Sequence, residues 1–182
     1  MNEMVKIISA VPGELLEVAQ AEIANLDWSV YTKLDTTRRT WEQFSTSTAI
    51  TLRYLQDETI VYSCKDTRQR GLLTATNNLV DWVFQKVNGV ALGKVMIVNL
   101  EPYGIVGDHV DDGPYFVQHA RFHVPIKTTL GMTFKGEHMP LGHLCCLNNS
   151  GVHGGINNSE IERIHLIVDV QPPEADRTQY FR

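Results

Sequence analysis

The sequence predicts an α+β protein that is mainly β, with an antiparallel sandwich or barrel in its second half and N-terminal helices packed on one sheet. Three observations lead there. From Lys94 onward, short apolar runs are punctuated by Gly, Pro and Asn clusters, the pattern of short antiparallel strands joined by turns. Two stretches of the first half instead repeat their apolar residues at helical spacing. At 182 residues, 43% hydrophobic and 20% charged, the chain suits a single globular domain with one sizeable core.

Residues 4–11 are a short apolar run, read as a first strand and closed by Pro12-Gly13. Proline fits a helix start because its missing N–H has no intrahelical partner there. Leu15, Leu16, Ala19, Ile23 and Leu26 then recur at helical spacing, giving an amphipathic helix to about Asn25. Residues 28–34 read as strand or loop, and 35–43 as a polar segment. Residues 47–54 alternate and are rich in Thr and Ile, a strand pattern; 59–62 read as another strand and 66–71 as a polar loop. Leu72, Thr76, Leu79, Val80, Val83 and Val87 mark a second helix ending at Asn88-Gly89, with Trp82 and Phe84 read as core. Five strands follow at 95–100, 117–126, 131–135, 144–147 and 163–170. Gln171-Pro172-Pro173-Glu174 breaks the last and leaves residues 173–182 as a tail, mobile over 175–182.

Composition excludes several classes. A formal net charge of −5 argues against a nucleic-acid partner. No apolar run reaches the length of a membrane span, and Met1-Asn2-Glu3-Met4 does not open a signal peptide. The expectation is a cytoplasmic protein with no membrane partner. Cys64, Cys145 and Cys146 are odd in number and lack zinc-ligand spacing, so they read as reduced, buried small hydrophobes.

The chemistry gathers around His109-Val110-Asp111 and His153. Two histidines and one carboxylate on neighbouring strands can occupy one face of a six-coordinate metal and leave the opposite positions open, as in non-haem Fe(II) oxygenases. In a chain with seven histidines and 21 acidic residues, a His-x-Asp sequence is weak evidence by itself. Strand alternation adds to it. His119, Arg121 and His123 share one face of their strand, and Arg163, His165 and Ile167 share one face of theirs. If those basic faces turn inward, each arginine needs an anion, because a buried unpaired charge costs several kcal/mol. A dicarboxylate co-substrate would supply both. His153 reads otherwise as a loop histidine, and its flanking glycines Gly151, Gly154 and Gly155 read either as close backbone packing or as a turn.

His109-x-Asp111, then Arg121-x-His123, then His153, then Arg163 ten residues later and followed by Ile164-His165-Leu166-Ile167-Val168-Asp169-Val170, resembles the aspartyl/asparaginyl β-hydroxylase family of 2-oxoglutarate-dependent oxygenases. The resemblance covers roughly residues 93–172. It implies a double-stranded β-helix (jelly roll, cupin-like), with residues 1–92 as a buttress, 93–172 as the metal-binding core and one domain over 1–182. It also implies Fe(II) held by His109, Asp111 and His153, with 2-oxoglutarate and O2 as co-substrates. Arg163 would hold the distal carboxylate of 2-oxoglutarate, while Arg121 and His123 would lie near its metal-proximal carboxylate. The implied reaction hydroxylates an unactivated C–H of an amino acid, or of an Asp/Asn-type side chain in a polypeptide, with release of succinate and CO2. One position departs from the family pattern. The hydroxyl residue expected four places before a proline is Val98, four before Pro102, which leaves Asn99, Thr133 or a water as the second anchor.

Substrate contacts are expected from the N-terminal half and the barrel mouth, with Arg38, Arg39, Trp41, Arg53, Tyr62 and Asp112 as candidates. His138 and His143 read as solvent-facing. Two rivals stay open: a zinc-dependent hydrolase or isomerase on a cupin-like barrel, and a non-catalytic β-sandwich binding protein. The sequence assigns neither the substrate nor the oligomeric state.

Overall fold

In the computed structural model, residues 3–29, 44–57 and 63–180 are described. Their elements run β1 (Val5–Ala10), α1 (Gly13–Ala24), β2 (Ser47–Leu55), β3 (Cys64–Asp66), α2 (Thr74–Lys86), β4 (Ala91–Leu100) and β5 (Ile105–His109). Then follow α3 (Pro114–Gln118), β6 (Ala120–Lys127), β7 (Met132–Phe134), β8 (Glu137–His138), β9 (His143–Leu147), β10 (His153–Asn157), β11 (Arg163–Gln171) and α4 (Arg177–Tyr180). The strands form two antiparallel sheets, a larger one ordered β1-β9-β6-β11-β4-β2-β3 and a smaller one ordered β5-β10-β7-β8. This is the mainly β jelly roll with helices in front that the sequence predicts.

β11 explains the layering. All nine of its residues are buried, and it pairs with β4 on one side and β6 on the other. Leu166, Val168 and Val170 enter the main core with Ile97 of β4, Phe122 of β6 and the α2 residues Leu79 and Val83. Alternation turns Arg163, His165, Ile167 and Asp169 the opposite way; Phe134 of the smaller sheet meets both Arg163 and His165. The helices therefore cover one face of the larger sheet, and the smaller sheet covers the other. Cys145 and Cys146 obey the same rule. Cys146 joins the helix-side core, Cys145 packs with Phe134 and Leu147 between the sheets, and all three cysteines are free and buried.

The structure corrects several local expectations. The strand expected over 117–126 begins only at Ala120, because Gly113 at φ 105° and Pro114 at the first helical position start the short helix α3. The aromatic and β-branched run Tyr115-Phe116-Val117 looks like a strand, yet Tyr115 is drawn inward to 2% exposure. β3 and β8 were not anticipated as strands, and β5 and β10, the strands of His109 and His153, were given no bounds; all four are two to five residues long, which leaves alternation little room to show. The tail is not loose throughout: the Tyr180 ring lies edge-on to Phe122 with centroids 5.1 Å apart. His138 and His143 are half-buried, each through Nδ1 beside a backbone carbonyl. The expectations for segments 35–43 and 59–62, including Arg38, Arg39, Trp41 and Tyr62, fall outside the described residues. No helix among the described residues is long and apolar enough to cross a membrane.

The N-terminus of α2 has no side-chain cap of its own. Glu22 of α1 supplies one across the helix pair, accepting from Ala75 N at 3.0 Å, Thr76 N at 2.8 Å and Thr76 Oγ1 at 2.7 Å. Glu22→Ala should cost about 1–2 kcal/mol, the usual loss of a helix cap. The measurement is a lowered urea midpoint at unchanged m-value.

Candidate active site

β5 and β10 pair so that His153 stands opposite His109, with ring centroids 4.2 Å apart. A register shift between His153 and Gly155 lies beside this pair; such irregularities re-aim side chains. Asp111 follows two residues after the end of β5. One ligand atom from each of His109, Asp111 and His153 lies within 4.8 Å of the others. His109 Nε2 is 3.9 Å from Asp111 Oδ1, and His153 Nε2 is 3.8 Å from Asp111 Oδ2.

Both histidines could hold a metal. Each Nδ1 faces a backbone carbonyl, Gly107 O at 2.8 Å for His109 and Gly151 O at 3.0 Å for His153, so each donates from Nδ1–H and turns Nε2 to the shared centre. Burial is the main force holding the His153 imidazole below its usual range, which keeps its Nε2 lone pair available. Two imidazoles and a carboxylate around a common point suit a first-row divalent metal, with the far side left open. Glycine makes the approach possible: a Cβ at Gly154 would sit 2.5 Å from Asp108 Oδ1 and 2.9 Å from Val106 O. Close packing within β10, rather than a turn, is therefore its role.

Behind the cluster lies a buried ion network. Asp169 of β11 is the register partner of Arg121 on β6, and it accepts from Arg121 Nε at 2.8 Å and Nη2 at 3.0 Å. The remaining Arg121 Nη1 donates to Asp111 Oδ2 at 2.5 Å. Arg121, expected to meet a co-substrate's anion, is thus also met by two protein carboxylates, one of them across the sheet, while still lining the cavity between the sheets. Tyr115 Oη donates to Asp169 Oδ2 and accepts from Lys94 N, an approach that needs Gly93, where a Cβ would meet Tyr115 Oη at 2.3 Å. His119 stacks on Tyr115 and, unlike Arg121 and His123, does not line the cavity.

Between the sheets lies a cavity of about 320 Å³ onto which His109, Asp111, His153, Arg121, His123 and Arg163 all open. All six residues singled out in the sequence therefore meet in one place. The Arg163 guanidinium lies 5.0 Å from the Phe134 ring centroid, and the residue is 3% exposed. Met96, Val98 and Ile167 give the cavity an apolar wall. Neither Asn99 nor Thr133 lines it, since alternation turns Asn99 away from the face that carries Val98. Arg53 is engaged outside it, with Asp66 Oδ1 at 2.6 Å, while exposed Asp112 sits at the rim.

Three contributors escaped the sequence reading. Asp169 had a signal, because it shares a strand face with Arg163 and His165. Phe44, edge-on to His109, had none. Nor had Lys94, whose ammonium lies 4.5 Å from the Phe116 ring centroid at the cavity wall.

Fold and cluster together define a jelly-roll protein with a two-histidine, one-carboxylate centre. Residues 8–173 match the sequence profile described as aspartyl/asparaginyl beta-hydroxylase; the chain belongs to that family and is a hydroxylase. Among solved structures, a prolyl-4-hydroxylase of Pseudomonas putida aligns with TM-score 0.56 at 11% identity, covering 92% of this chain and 91% of that one. AviO1 of Streptomyces viridochromogenes aligns at 0.53 and 13%, covering 94% and 91%. An oxidoreductase of the 2OG-Fe(II) oxygenase family from Burkholderia pseudomallei aligns at 0.54 and 10%, covering 86% and 89%. At these identities the likeness concerns the fold. A search of curated proteins returns no match.

Asp169 also has a pH signature. Burial pushes its carboxyl up, but the Arg121 charge and fork outweigh burial and hold it below the usual carboxylate range. The folded value lies below the unfolded one, so its contribution is complete above the unfolded value and is lost as pH falls toward the folded one. Asp169→Asn should destabilise by about 3–5 kcal/mol at neutral pH, because Arg121 is left buried without its main partner. Urea midpoints followed down through about pH 4, the unfolded aspartate range, should fall less steeply in the variant than in the parent.

Proposed function

We propose that His109, Asp111 and His153 hold one Fe(II), and that the adjoining cavity binds 2-oxoglutarate with its distal carboxylate on Arg163 and its metal-proximal carboxylate beside His123. The reaction we assign is hydroxylation of an unactivated C–H of an amino acid, or of an Asp/Asn-type side chain in a polypeptide, with release of succinate and CO2. One observation carries this reading: the three ligand atoms open onto the same cavity as a buried arginine. A guanidinium opening onto the same cavity as the three ligand atoms fits a carboxylate-bearing co-substrate.

Iron and 2-oxoglutarate would supply the oxidising chemistry, in which O2 is divided between succinate and the hydroxylated product. The chain's own residues bind and orient. Arg163 offers a planar fork matched to a carboxylate, and the Phe134 ring lies beside the guanidinium. Met96, Val98 and Ile167 keep water from the buried end. With its fork taken by Asp169, Arg121 acts chiefly by holding Asp111 toward the two histidines. At the cavity wall, the Lys94 side-chain nitrogen lies beside Phe116, suited to a polar or anionic group of the substrate. The reduced, buried thiols of Cys64, Cys145 and Cys146 fit a cytoplasmic location.

His153→Ala is expected to abolish Fe(II)-dependent succinate formation while leaving the circular-dichroism spectrum unchanged. Anaerobic addition of Fe(II) and 2-oxoglutarate to the parent protein should give a visible metal-to-ligand charge-transfer band, and its absence sinks the co-substrate assignment.

Arg163→Lys keeps the charge but loses the fork, a loss of about 1.5–3 kcal/mol. That is roughly 10- to 150-fold weaker 2-oxoglutarate binding, with metal affinity little changed. Titration of 2-oxoglutarate into the Mn(II)-loaded variant reads it directly.

A further inference from the structure

His123 of β6 and His165 of β11 lie side by side between the sheets, 2% and 1% exposed, with their Nδ1 atoms 3.2 Å apart. The rings meet edge to face, with centroids 5.5 Å apart and planes at 87°. Burial first, and then the Arg163 guanidinium, hold both imidazoles well below their usual range, so both are neutral. Two neutral imidazoles sharing an Nδ1···Nδ1 contact hold one proton between them. Protons on both Nδ1 atoms would clash, and none would set two lone pairs against each other. The pair therefore consists of opposite tautomers: one ring keeps its proton on Nδ1 and leaves Nε2 bare, and the other carries its proton on Nε2.

Both Nε2 atoms are buried and make no hydrogen bond among the described residues. Two such atoms in adjacent rings are unusual, since buried polar atoms nearly always find partners. The rings differ in one respect. His123 opens onto the cavity beside His153 and Arg163, whereas His165 does not line it. Of the two rings only His123 borders the cavity, so a ligand held there lies beside His123 and not beside His165. The surroundings select the kind of ligand atom, because a cavity carrying Arg163 favours acceptors.

We propose that His165 is a positioning residue for co-substrate binding: it donates Nδ1–H to His123 Nδ1, which fixes the proton of His123 on Nε2 and aims that donor at a carboxylate oxygen in the cavity. This rests on the reading of the cavity as a 2-oxoglutarate site. His165 touches neither metal nor co-substrate. Its task is to keep His123 from turning a lone pair toward an anion.

The arrangement is read first in the unaltered protein, loaded with Zn(II) and labelled with 15N at histidine. Long-range 1H–15N spectra, assigned by single His→Gln variants, should show His123 protonated at Nε2 and His165 at Nδ1, both sharpening when 2-oxoglutarate is added. His123 protonated at Nδ1 in the loaded complex overturns the proposal. Substitution gives the second arm. His165→Phe removes the Nδ1–H donor, and His165→Asn restores an N–H near the same place. The dissociation constant of 2-oxoglutarate on the Mn(II)-loaded protein should weaken about tenfold in His165→Phe and return to within about twofold of the parent in His165→Asn, with Mn(II) affinity unchanged in both. Equal weakening in the two variants, or none in His165→Phe, also overturns it. If the unaltered metal-loaded protein binds no 2-oxoglutarate, the oxygenase reading fails, while the tautomers seen in the Zn(II) protein alone still decide whether His165 sets His123.

Discussion

The Arg121–Asp169 pair is the constraint on which the rest of the site depends. Asp169 is 1% exposed, and an ion buried so deeply costs several kcal/mol unless a partner with good geometry meets it. The two residues face each other across the β6–β11 ladder, and the guanidinium meets the carboxylate with two nitrogens. A slip of one residue in that ladder would turn Arg121 into the apolar core and leave Asp169 alone between the sheets. The pair thus helps set the register of the central strands, and its spare Nη1 carries that register to Asp111.

The same alternation allocates the two faces of β11. Leu166, Val168 and Val170 bind the sheet to the helices, while Arg163, His165 and Asp169 line the space between the sheets. A strand buried on both faces normally reads as continuously hydrophobic. Here Arg163, His165 and Asp169 are among the residues of its inner face, each needing a neighbour that offsets its desolvation. Asp169 has Arg121 and Tyr115, His165 has His123, and Arg163 lies against Phe134. The cavity is polar at this buried end and apolar along Met96, Val98 and Ile167.

The smaller sheet has a different task. β5 and β10 bring two imidazoles to one point, and the packing of Gly154 against Asp108 and Val106 lets the strands approach closely enough to do so. Backbone carbonyls at Gly107 and Gly151 fix both tautomers, so each histidine is oriented by the residue two before it. Asp111, beyond the strand end, is placed instead by a long-range contact from the larger sheet. The candidate metal centre is therefore a joint product of the two sheets.

The sequence by itself determined the mainly β class, both helices, the longer strands and the six residues that meet at the cavity. Strand alternation and turn residues are local properties, and the resemblance needed only residue type and spacing. Tertiary structure decided what depends on pairing. β5 and β10 are strands because they have partners, and Tyr115-Phe116-Val117 is helical because Gly113 and Pro114 start a turn that takes Tyr115 to Asp169. Arg121 is bound by an aspartate 48 residues away, a partner that no pattern within β6 could name. Lys94 and Phe44 reach the cavity through contacts that leave no local trace. The Nδ1 contact between His123 and His165, 42 residues apart in the chain, exists only once β6 and β11 lie side by side.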